Sequence, residues 1–446
     1  MVEAVAPTRL RRLPFWAIII ALVISALAGV FVLLWFKLPT WAPAWVVEHS
    51  PWVDPIVRAV EENPSIREEA VRRLVGMGES VVPRMVEIIT HQDQTLSVEV
   101  FSLLKDNRAI VPMIEQILIP ERSDPRFVTS APPAKDSWIP PLRHQNPSAV
   151  TDHLLPHLRP GVEIPYQLLD VAGRIDDHRL VDVLRQLLHQ PWKPENLRDG
   201  RLDQEPTVRA AKALVESPCP SAVPVLVESF GNADPAIRLR VVFGILVTTH
   251  EGGRFREFDW DARVKQLILA GATDADSQVR QTAAMCMGMK EIDGSEPHMI
   301  RLSYAGDPGE RSAAVFALRM NKPSQEAQGR IIALLKDPDP KVCLYAVDGI
   351  SSIDDPASVT GDLIDLLSSP SDRLRGVICS TLGRKQHCSH PRVFAAMLTA
   401  MDDPSSHVAQ RAEMTAWGAA STPEQKAAVE AKSEAVRQRR SGAGHP

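Results

Sequence analysis

A short motif recurs at nearly constant spacing along the chain, and this recurrence constrains the fold more than any other feature of the sequence. A typical copy begins with an acidic residue or Asn, usually followed by Pro, and has a branched apolar residue at the fourth position, Arg at the fifth and Ala or Gly further on. The Arg position of successive copies is occupied by Arg209, Arg238, Arg280, Arg311, Cys343, Arg375 and Ala409. These positions are 29, 42, 31, 32, 32 and 34 residues apart, and the longest interval contains an insertion at 250–260. A repeat of this length is the signature of an array of stacked supersecondary units.

One repeat has room for two short helices and two turns. The acidic residue or Asn caps a helix, and Pro occupies its first position, where a missing N–H costs nothing. Between these helices lie segments with apolar residues at i, i+3, i+4 and i+7, as in Val223, Leu226, Val227 and Phe230. Neither helix can bury its apolar face alone, so the pairs must stack. The sequence therefore predicts an all-α fold, an α-solenoid of stacked helix pairs.

This pattern resembles the HEAT family, specifically the short bacterial HEAT-like, PBS-lyase-type repeats that are also seen in phycobilin lyase subunits. The resemblance covers residues 63–418 and is strongest over 203–418. It implies that the Val-Arg helices line a concave face and that repeated Asp and Arg residues bond between neighbouring units. The residues of this structural ladder would be Asp234, Arg238, Asp276, Arg280, Asp307 and Arg311. Because Cys343 and Ala409 replace the Arg, we expect the ladder to be interrupted in the last third.

The N-terminal segment predicts a membrane anchor. Residues 15–36 form a run of 22 residues without a charge, and at about 1.5 Å per residue such a helix crosses a hydrocarbon core of ~30 Å. The alternative is a cleavable signal peptide, for which Ala42-Pro43-Ala44 offers a cleavage site. An apolar signal region is usually shorter than this run, which favours the anchor.

The flanking charges predict the orientation of this anchor. Arg9, Arg11 and Arg12 precede the span, whereas only Lys37 follows it before Arg58, so residues 1–14 should stay in the cytoplasm. We expect a single-pass protein of the inner membrane whose repeats face the periplasm, with the lipid bilayer contacted by 15–36. Small residues four apart form a ridge suited to association with another transmembrane helix: Ala17, Ala21, Ser25 and Gly29.

Several segments depart from the repeat. Residues 120–149 carry seven prolines, which predict a Pro-rich insertion without continuous helix. It is either a packed insertion or a partner-binding arm, and its candidate contact residues are Phe127, Trp138 and Arg143. We divide the chain into a cytoplasmic N-terminus (1–14), the anchor (15–36), a juxtamembrane segment (37–62), first repeats (63–119), the insertion (120–149), further repeats (150–418) with insertions at 191–204 and 250–260, and a capping helix with a flexible tail (419–446).

Little in the sequence points to chemistry. The chain has a net charge of −5, which argues against a nucleic-acid partner, and five cysteines are too few for a disulfide framework. Two groups have metal-ligand residue types: His153 with His157, and His387 with Cys388 and His390. Cys379 and Cys388 could form a disulfide or remain free. No catalytic motif accompanies them, so we expect no enzyme activity, no catalytic, cofactor-binding or metal-binding residue, and no cofactor.

These observations favour a membrane-anchored, extracytoplasmic HEAT-repeat scaffold that binds one or more partner proteins, or a structural subunit of a membrane complex. The alternative is a cofactor- or metal-handling module or enzyme built on the same solenoid, using one of the two histidine groups.

Overall fold

The computed structural model describes residues 47, 50, 52–91, 94–118, 135–159, 164–191, 205–251, 254–255 and 260–442. The chain divides into two compact units, Met1–Asp177 and His178–Pro446. The described residues form 24 α-helices and, in the 250–260 insertion, one antiparallel pair of two-residue strands. The predicted all-α fold is confirmed, and within each unit the helices are arranged as in a helical-repeat protein.

The first unit contains eight described α-helices joined by short turns. From α4 onwards, each helix packs on the helix two places before it in the chain, and these contacts give two rows. One row contains α2, α4, α6 and α8, and the other contains α3, α5 and α7. The bounds are α1 Val53–Glu62, α2 Arg67–Gly76, α3 Val82–His91, α4 Gln94–Phe101, α5 Ile110–Leu118, α6 Ile139–His144, α7 Pro147–Leu154 and α8 Tyr166–Ala172.

The second unit contains the strongest copies of the sequence motif. Its bounds are α9 His178–Leu188, α10 Pro206–Glu216, α11 Ala222–Phe230, α12 Pro235–Val247, β1 His250–Glu251, β2 Arg254–Phe255, α13 Ala262–Gly271, α14 Ser277–Met289, α15 Glu296–Leu302, α16 Pro308–Met320, α17 Gln325–Ala333, α18 Pro340–Gly349, α19 Thr360–Asp365, α20 Asp372–Leu382, α21 Lys385–Cys388, α22 Pro391–Ala400, α23 Ser406–Ala419 and α24 Pro423–Gly442.

The helices that begin with the motif form one continuous row of the second unit, which we call the motif row: α10, α12, α14, α16, α18, α20 and α23. As predicted, an aspartate caps each helix from α12 to α18 in this row; the Asp307 carboxylate, for example, accepts from the backbone N–H of Gly309 and Glu310. Glu205 caps α10, and Ser371 caps α20. Small residues let neighbouring helices approach closely. A Cβ at Gly244 would lie 2.4 Å from the Cβ of Ala211, and one at Gly288 would lie 2.7 Å from the Cα of Ala317.

The second half of the Pro-rich segment is helical, which corrects the predicted insertion. Residues 135–138 form a 3₁₀ turn and lead into α6 and α7. Pro140 and Pro141 lie in the first turn of α6 and Pro147 begins α7, positions where a backbone N–H has no intrahelical partner. The prolines therefore start helices here, and the insertion extends to residue 134 at most.

The predicted C-terminal helix begins with a capping box. The Gln425 backbone N–H donates to Thr422 Oγ1, and the Gln425 side chain accepts from the backbone N–H of Thr422. Most of α24 is exposed, and Val429 is buried. A largely polar helix at this position covers the end of the repeat row, as expected for a cap.

None of the described helices is long and apolar enough to cross a bilayer. The predicted anchor at 15–36, with the ridge of Ala17, Ala21, Ser25 and Gly29, lies outside the described residues. The anchor therefore stays a prediction.

Candidate interaction surface

The arginine at the fifth motif position connects successive helices of the motif row. Arg238 of α12 donates through Nε and Nη2 to both carboxylate oxygens of Asp274, which precedes α14, at 2.7 and 2.8 Å. Its Nη1 donates to the carbonyls of Asn232 and Ala233, in the turn before its own helix. The two side chains are 15% and 7% exposed. One guanidinium thus ties its own turn to the next repeat with four hydrogen bonds.

The same four-bond geometry recurs along the row. Arg311 binds Asp337 and the carbonyls of its own turn, and Arg375 does the same with Asp403. The hydrogen bond from Arg238 lowers the pKa of Asp274, and that from Arg375 lowers the pKa of Asp403, despite partial burial that acts in the opposite direction. The carboxylates of Asp274 and Asp403 are therefore held ionised inside the repeat stack.

The ladder differs from the prediction in its acidic members. Asp234, Asp276 and Asp307 cap their own helices, so their carboxylates accept from backbone N–H groups and not from the neighbouring arginine. The acceptor is instead the Asp two residues before the next cap. Before α16 this position is Ala305, and Arg280 bonds Glu310 in its place.

The expected interruption is seen at Cys343. Its thiol donates to the carbonyls of Leu335 and Asp337, at 3.3 and 3.0 Å, the second of which occupies the site that an arginine would contact. No charged pair then links α18 to α20 through the motif position. The ladder resumes with Arg375 and ends at Ala409.

The candidate residues of the Pro-rich segment are separated by the fold. Trp138 is 1% exposed and lies in the core of the first unit, so it is unavailable to a partner in this structure. Arg143 is exposed on α6, and Phe127 lies outside the described residues. Gln145 joins the end of α6 to the end of α4, because its buried amide donates to the carbonyls of Phe101, Leu104 and Pro141.

The two histidine groups make local structural contacts. His153 is exposed on α7, and His157 lies in the 3₁₀ turn that follows. His387 is fully buried with Nδ1 2.8 Å from Thr360 Oγ1, and His390 caps α22 through the backbone N–H of Arg392. Among the described residues, no group of three or more potential ligands could hold a metal ion. Cys379 and Cys388 are both free thiols.

Large apolar side chains emerge on one side of the motif row. The ninth position after the cap is Phe243, Met285, Phe316 and Met414 in four of the helices, and Met289 and Met320 lie one turn further along theirs. Met320 is 45% and Met414 70% exposed, and Trp417 of α23 is 42% exposed. Phe243, Met285, Met289 and Phe316 are half-buried. Large apolar side chains that are partly or largely exposed along one row make it a candidate protein-binding surface.

Arg319 is the cation at the centre of this surface. Its guanidinium carbon lies 5.1 Å from the ring centroid of Phe316 and 5.9 Å from that of Tyr345. The two rings meet edge to face, with centroids 6.3 Å apart and planes at 79°. A Cβ at Gly288 would lie 3.0 Å from the Phe316 ring, so the glycine makes room for this ring against α14. We call Phe316, Arg319, Met320 and Tyr345 the Arg319 cluster.

Sequence reasoning missed this cluster because its members come from two different repeats and carry no motif of their own. The signal that could have found them is the register of the repeat. Counting nine residues from each cap places Phe243, Met285 and Phe316 at equivalent positions, where a soluble repeat surface normally carries polar residues.

Comparisons with known proteins show no family for this chain. No family model matches it, and no curated protein matches it. Among solved structures, the chain is similar to an engineered protein determined by the Northeast Structural Genomics Consortium. The two are 15% identical with a TM-score of 0.34, over 84% of this chain and 97% of that chain. A TM-score of 0.34 is too low to support a fold assignment, so the assignment rests on the helices described above.

Proposed function

We propose that this chain is a membrane-anchored HEAT-type scaffold whose repeats lie outside the cytoplasm and bind a partner protein, either transiently or as a subunit of a membrane complex. The observation that carries the proposal is the exposed apolar side of the motif row. A solenoid contacts its partners through an extended surface of this kind, and large apolar residues left partly or largely exposed along one row mark interaction sites.

The ladder supports a role in presenting a surface. Arginine and carboxylate pairs fix neighbouring repeats against one another along α12, α14 and α16. The side chains between those helices are therefore held at fixed separations before a partner arrives. Preorganisation of this kind lowers the entropic cost of binding.

The membrane part of the proposal rests on the sequence. The uncharged run at 15–36 is long enough to span a bilayer, and the arginines before it favour a cytoplasmic N-terminus. Together they would hold the repeat stack close to the outer side of the inner membrane, where a membrane protein or a periplasmic protein could meet it.

Affinity purification of the full chain in mild detergent tests the proposal. We expect one or a few defined proteins to co-purify at constant ratio, and cross-linking before lysis to join them to the motif row. Recovery of the chain alone, in detergent and after cross-linking, would contradict the scaffold. Elemental analysis of the same sample addresses the metal-handling alternative, which requires a stoichiometric metal.

A further inference from the structure

We propose that the Arg319 cluster is a receptor for an acidic and apolar peptide segment of the partner protein. The guanidinium would bind a carboxylate of an Asp or Glu side chain, while the flanking aromatic and methionine side chains would take its large apolar neighbours. This inference rests on the proposed scaffold function and specifies the chemistry of the partner at one site.

Arg319 differs from the ladder arginines in the hydrogen bonds that its guanidinium N–H groups make. Arg238, Arg311 and Arg375 each make four hydrogen bonds to a carboxylate and two carbonyls. Arg319 makes no hydrogen bond within the described part of the chain: its Nε is buried without a partner, and its Nη1 is 3.9 Å from Asp348 Oδ2. A guanidinium has five N–H donors, so this one has unused capacity for an acceptor.

The position of Arg319 is nevertheless fixed. Its guanidinium is stacked on Phe316 and lies near Tyr345. A Cβ at Gly349 would lie 3.4 Å from the Cβ of Arg319, so this glycine leaves room for the side chain against α18. Stacking on aromatic faces orients a guanidinium without using its N–H groups. Arg319 is thus an oriented donor set that needs little reordering to accept a carboxylate in bidentate geometry.

The surroundings of Arg319 select for apolar neighbours of that carboxylate. Met320 is 45% exposed, and Phe316, Tyr345 and Met289 are partly exposed. Methionine side chains adapt to irregular apolar shapes, and aromatic side chains with Arg supply most of the energy at interfaces. A peptide with carboxylates alone would leave this apolar area in water.

Charge complementarity favours an acidic segment over a basic one. Glu310 of α16 and Asp337, which precedes α18, are bonded to ladder arginines. In the described part of the chain, Asp348 is the acidic residue that pairs with Arg319, with its Oδ2 3.9 Å from Arg319 Nη1 and so beyond hydrogen-bond distance. Lys290, which follows Met289, places a second cation on the same row, 5.9 Å above the Trp260 ring. Asp348 is the competitor that an incoming carboxylate would displace.

Four matched synthetic peptides test the charge and apolar requirements together. All are labelled with fluorescein and have the same length: one combines Glu with Leu and Phe, and the others replace Glu by Gln, Glu by Lys, or Leu and Phe by Ala. Binding to the full chain is followed by fluorescence anisotropy. We expect the first peptide to bind most tightly, with the Gln peptide weaker by about tenfold, as expected for loss of a charge-assisted hydrogen bond.

Variants assign any binding to the cluster. Arg319→Gln should remove the preference for Glu over Gln, and Asp348→Asn should increase affinity for the Glu peptide a few-fold by removing the competitor. Arg373→Gln is the matched control, because Arg373 is an exposed cation on the motif-row helix α20. Thermal midpoints of the variants show whether each remains folded.

Three results would overturn the inference: equal affinity for the Glu and Gln peptides, an unchanged preference in Arg319→Gln, or no binding of any peptide. The scaffold proposal is tested separately by co-purification. If the partner still co-purifies with Arg319→Gln as with the unmodified chain, the scaffold stands and this site does not. If neither captures a partner, the scaffold proposal itself fails.

Discussion

At the scale of single residues, each ladder arginine has two structural roles, although the sequence motif suggests only one. Each closes the turn before its own helix and also binds a carboxylate of the next repeat. In Arg238→Ala, the carboxylate of Asp274 would remain buried without its cation. We expect a loss of about 3 kcal/mol in the free energy of unfolding, the order found when one partner of a buried pair is removed. Chemical denaturation at pH 7, with Arg373→Ala as the exposed control, measures it.

This loss should depend on pH in a defined direction. The pKa of Asp274 is lowered chiefly by its hydrogen bond from Arg238. Its contribution to stability is therefore complete above the ordinary pKa of 3.8 and is lost as the pH falls through the lower value of the folded state. A difference between Arg238→Ala and the unmodified chain that did not shrink in acid would count against the pairing.

His387 gives a second residue-scale prediction. Burial lowers its pKa, and the positive charge of Arg384 lowers it further. Thr360 Oγ1 already donates to the carbonyl of Ala357, so Nδ1–H of His387 donates to Thr360 and the buried Nε2 has no partner. On acidification, His387 therefore takes up its second ring proton at a higher pH in the unfolded chain than in the folded chain. The free energy of unfolding should fall as the pH drops below 6.5.

His387→Leu removes this titration. The unmodified chain should lose more stability than the variant between neutral pH and about pH 5, whereas His189 and His298, whose pKa values are also lowered by burial, contribute equally to both. Parallel stability curves over that interval would show that His387 does not titrate as inferred.

At the scale of helices, close approach within the motif row depends on glycine. Ala favours an isolated helix over Gly by up to about 1 kcal/mol, but a Cβ at Gly244 would lie 2.4 Å from Ala211 Cβ and 2.8 Å from the backbone nitrogen of Lys212. We therefore expect Gly244→Ala to destabilise the protein by roughly 1–3 kcal/mol, the cost of overpacking. Gly329→Ala is the control, since nothing lies within 4 Å of its added Cβ, and it should stabilise α17. Thermal unfolding of both variants should give shifts of opposite sign.

The helices were the most predictable level of this structure. The Asp-Pro starts, the repeat of about 32 residues and the capping box before α24 follow from local rules. The sequence pattern does not predict helices α6 and α7, because prolines such as Pro140, Pro141 and Pro147 commonly end helices, whereas here they occupy first turns. The ladder acceptors and the Arg319 cluster depend on which side chains of different repeats meet. The register of the repeat places Phe316 at a recurring position, but it does not show that Arg319 stacks on Phe316 beside Tyr345 of the next repeat. Asp274 could have been inferred once Asp276 was assigned to the cap.

At the scale of the whole molecule, the sequence predicts where the repeat units lie. The arginines before residue 15 outnumber the single lysine that follows the span, so a reporter enzyme active only in the cytoplasm and fused after Pro446 should be silent. The same reporter fused to a chain lacking residues 1–45 is the control and should be active. Activity of the full-length fusion would reverse the proposed orientation.

The thiol of Cys343 affects how cooperatively the second unit unfolds. In a linear stack, cooperativity passes only from neighbour to neighbour, so the boundary with the smallest coupling energy divides the array into separately melting blocks. At the boundary between α18 and α20, the Cys343 thiol donates weakly to two carbonyls, whereas in other repeats a guanidinium at this position binds a carboxylate of the following repeat.

Backbone amides of α20 to α23 should therefore exchange with deuterium through openings that leave α12 to α16 protected. Cys343→Arg would give the site a guanidinium but no partner, since Ser369 occupies the position at which Asp274, Asp337 and Asp403 bind the other ladder arginines. Only the double change with Ser369→Asp should merge the two exchange classes into one.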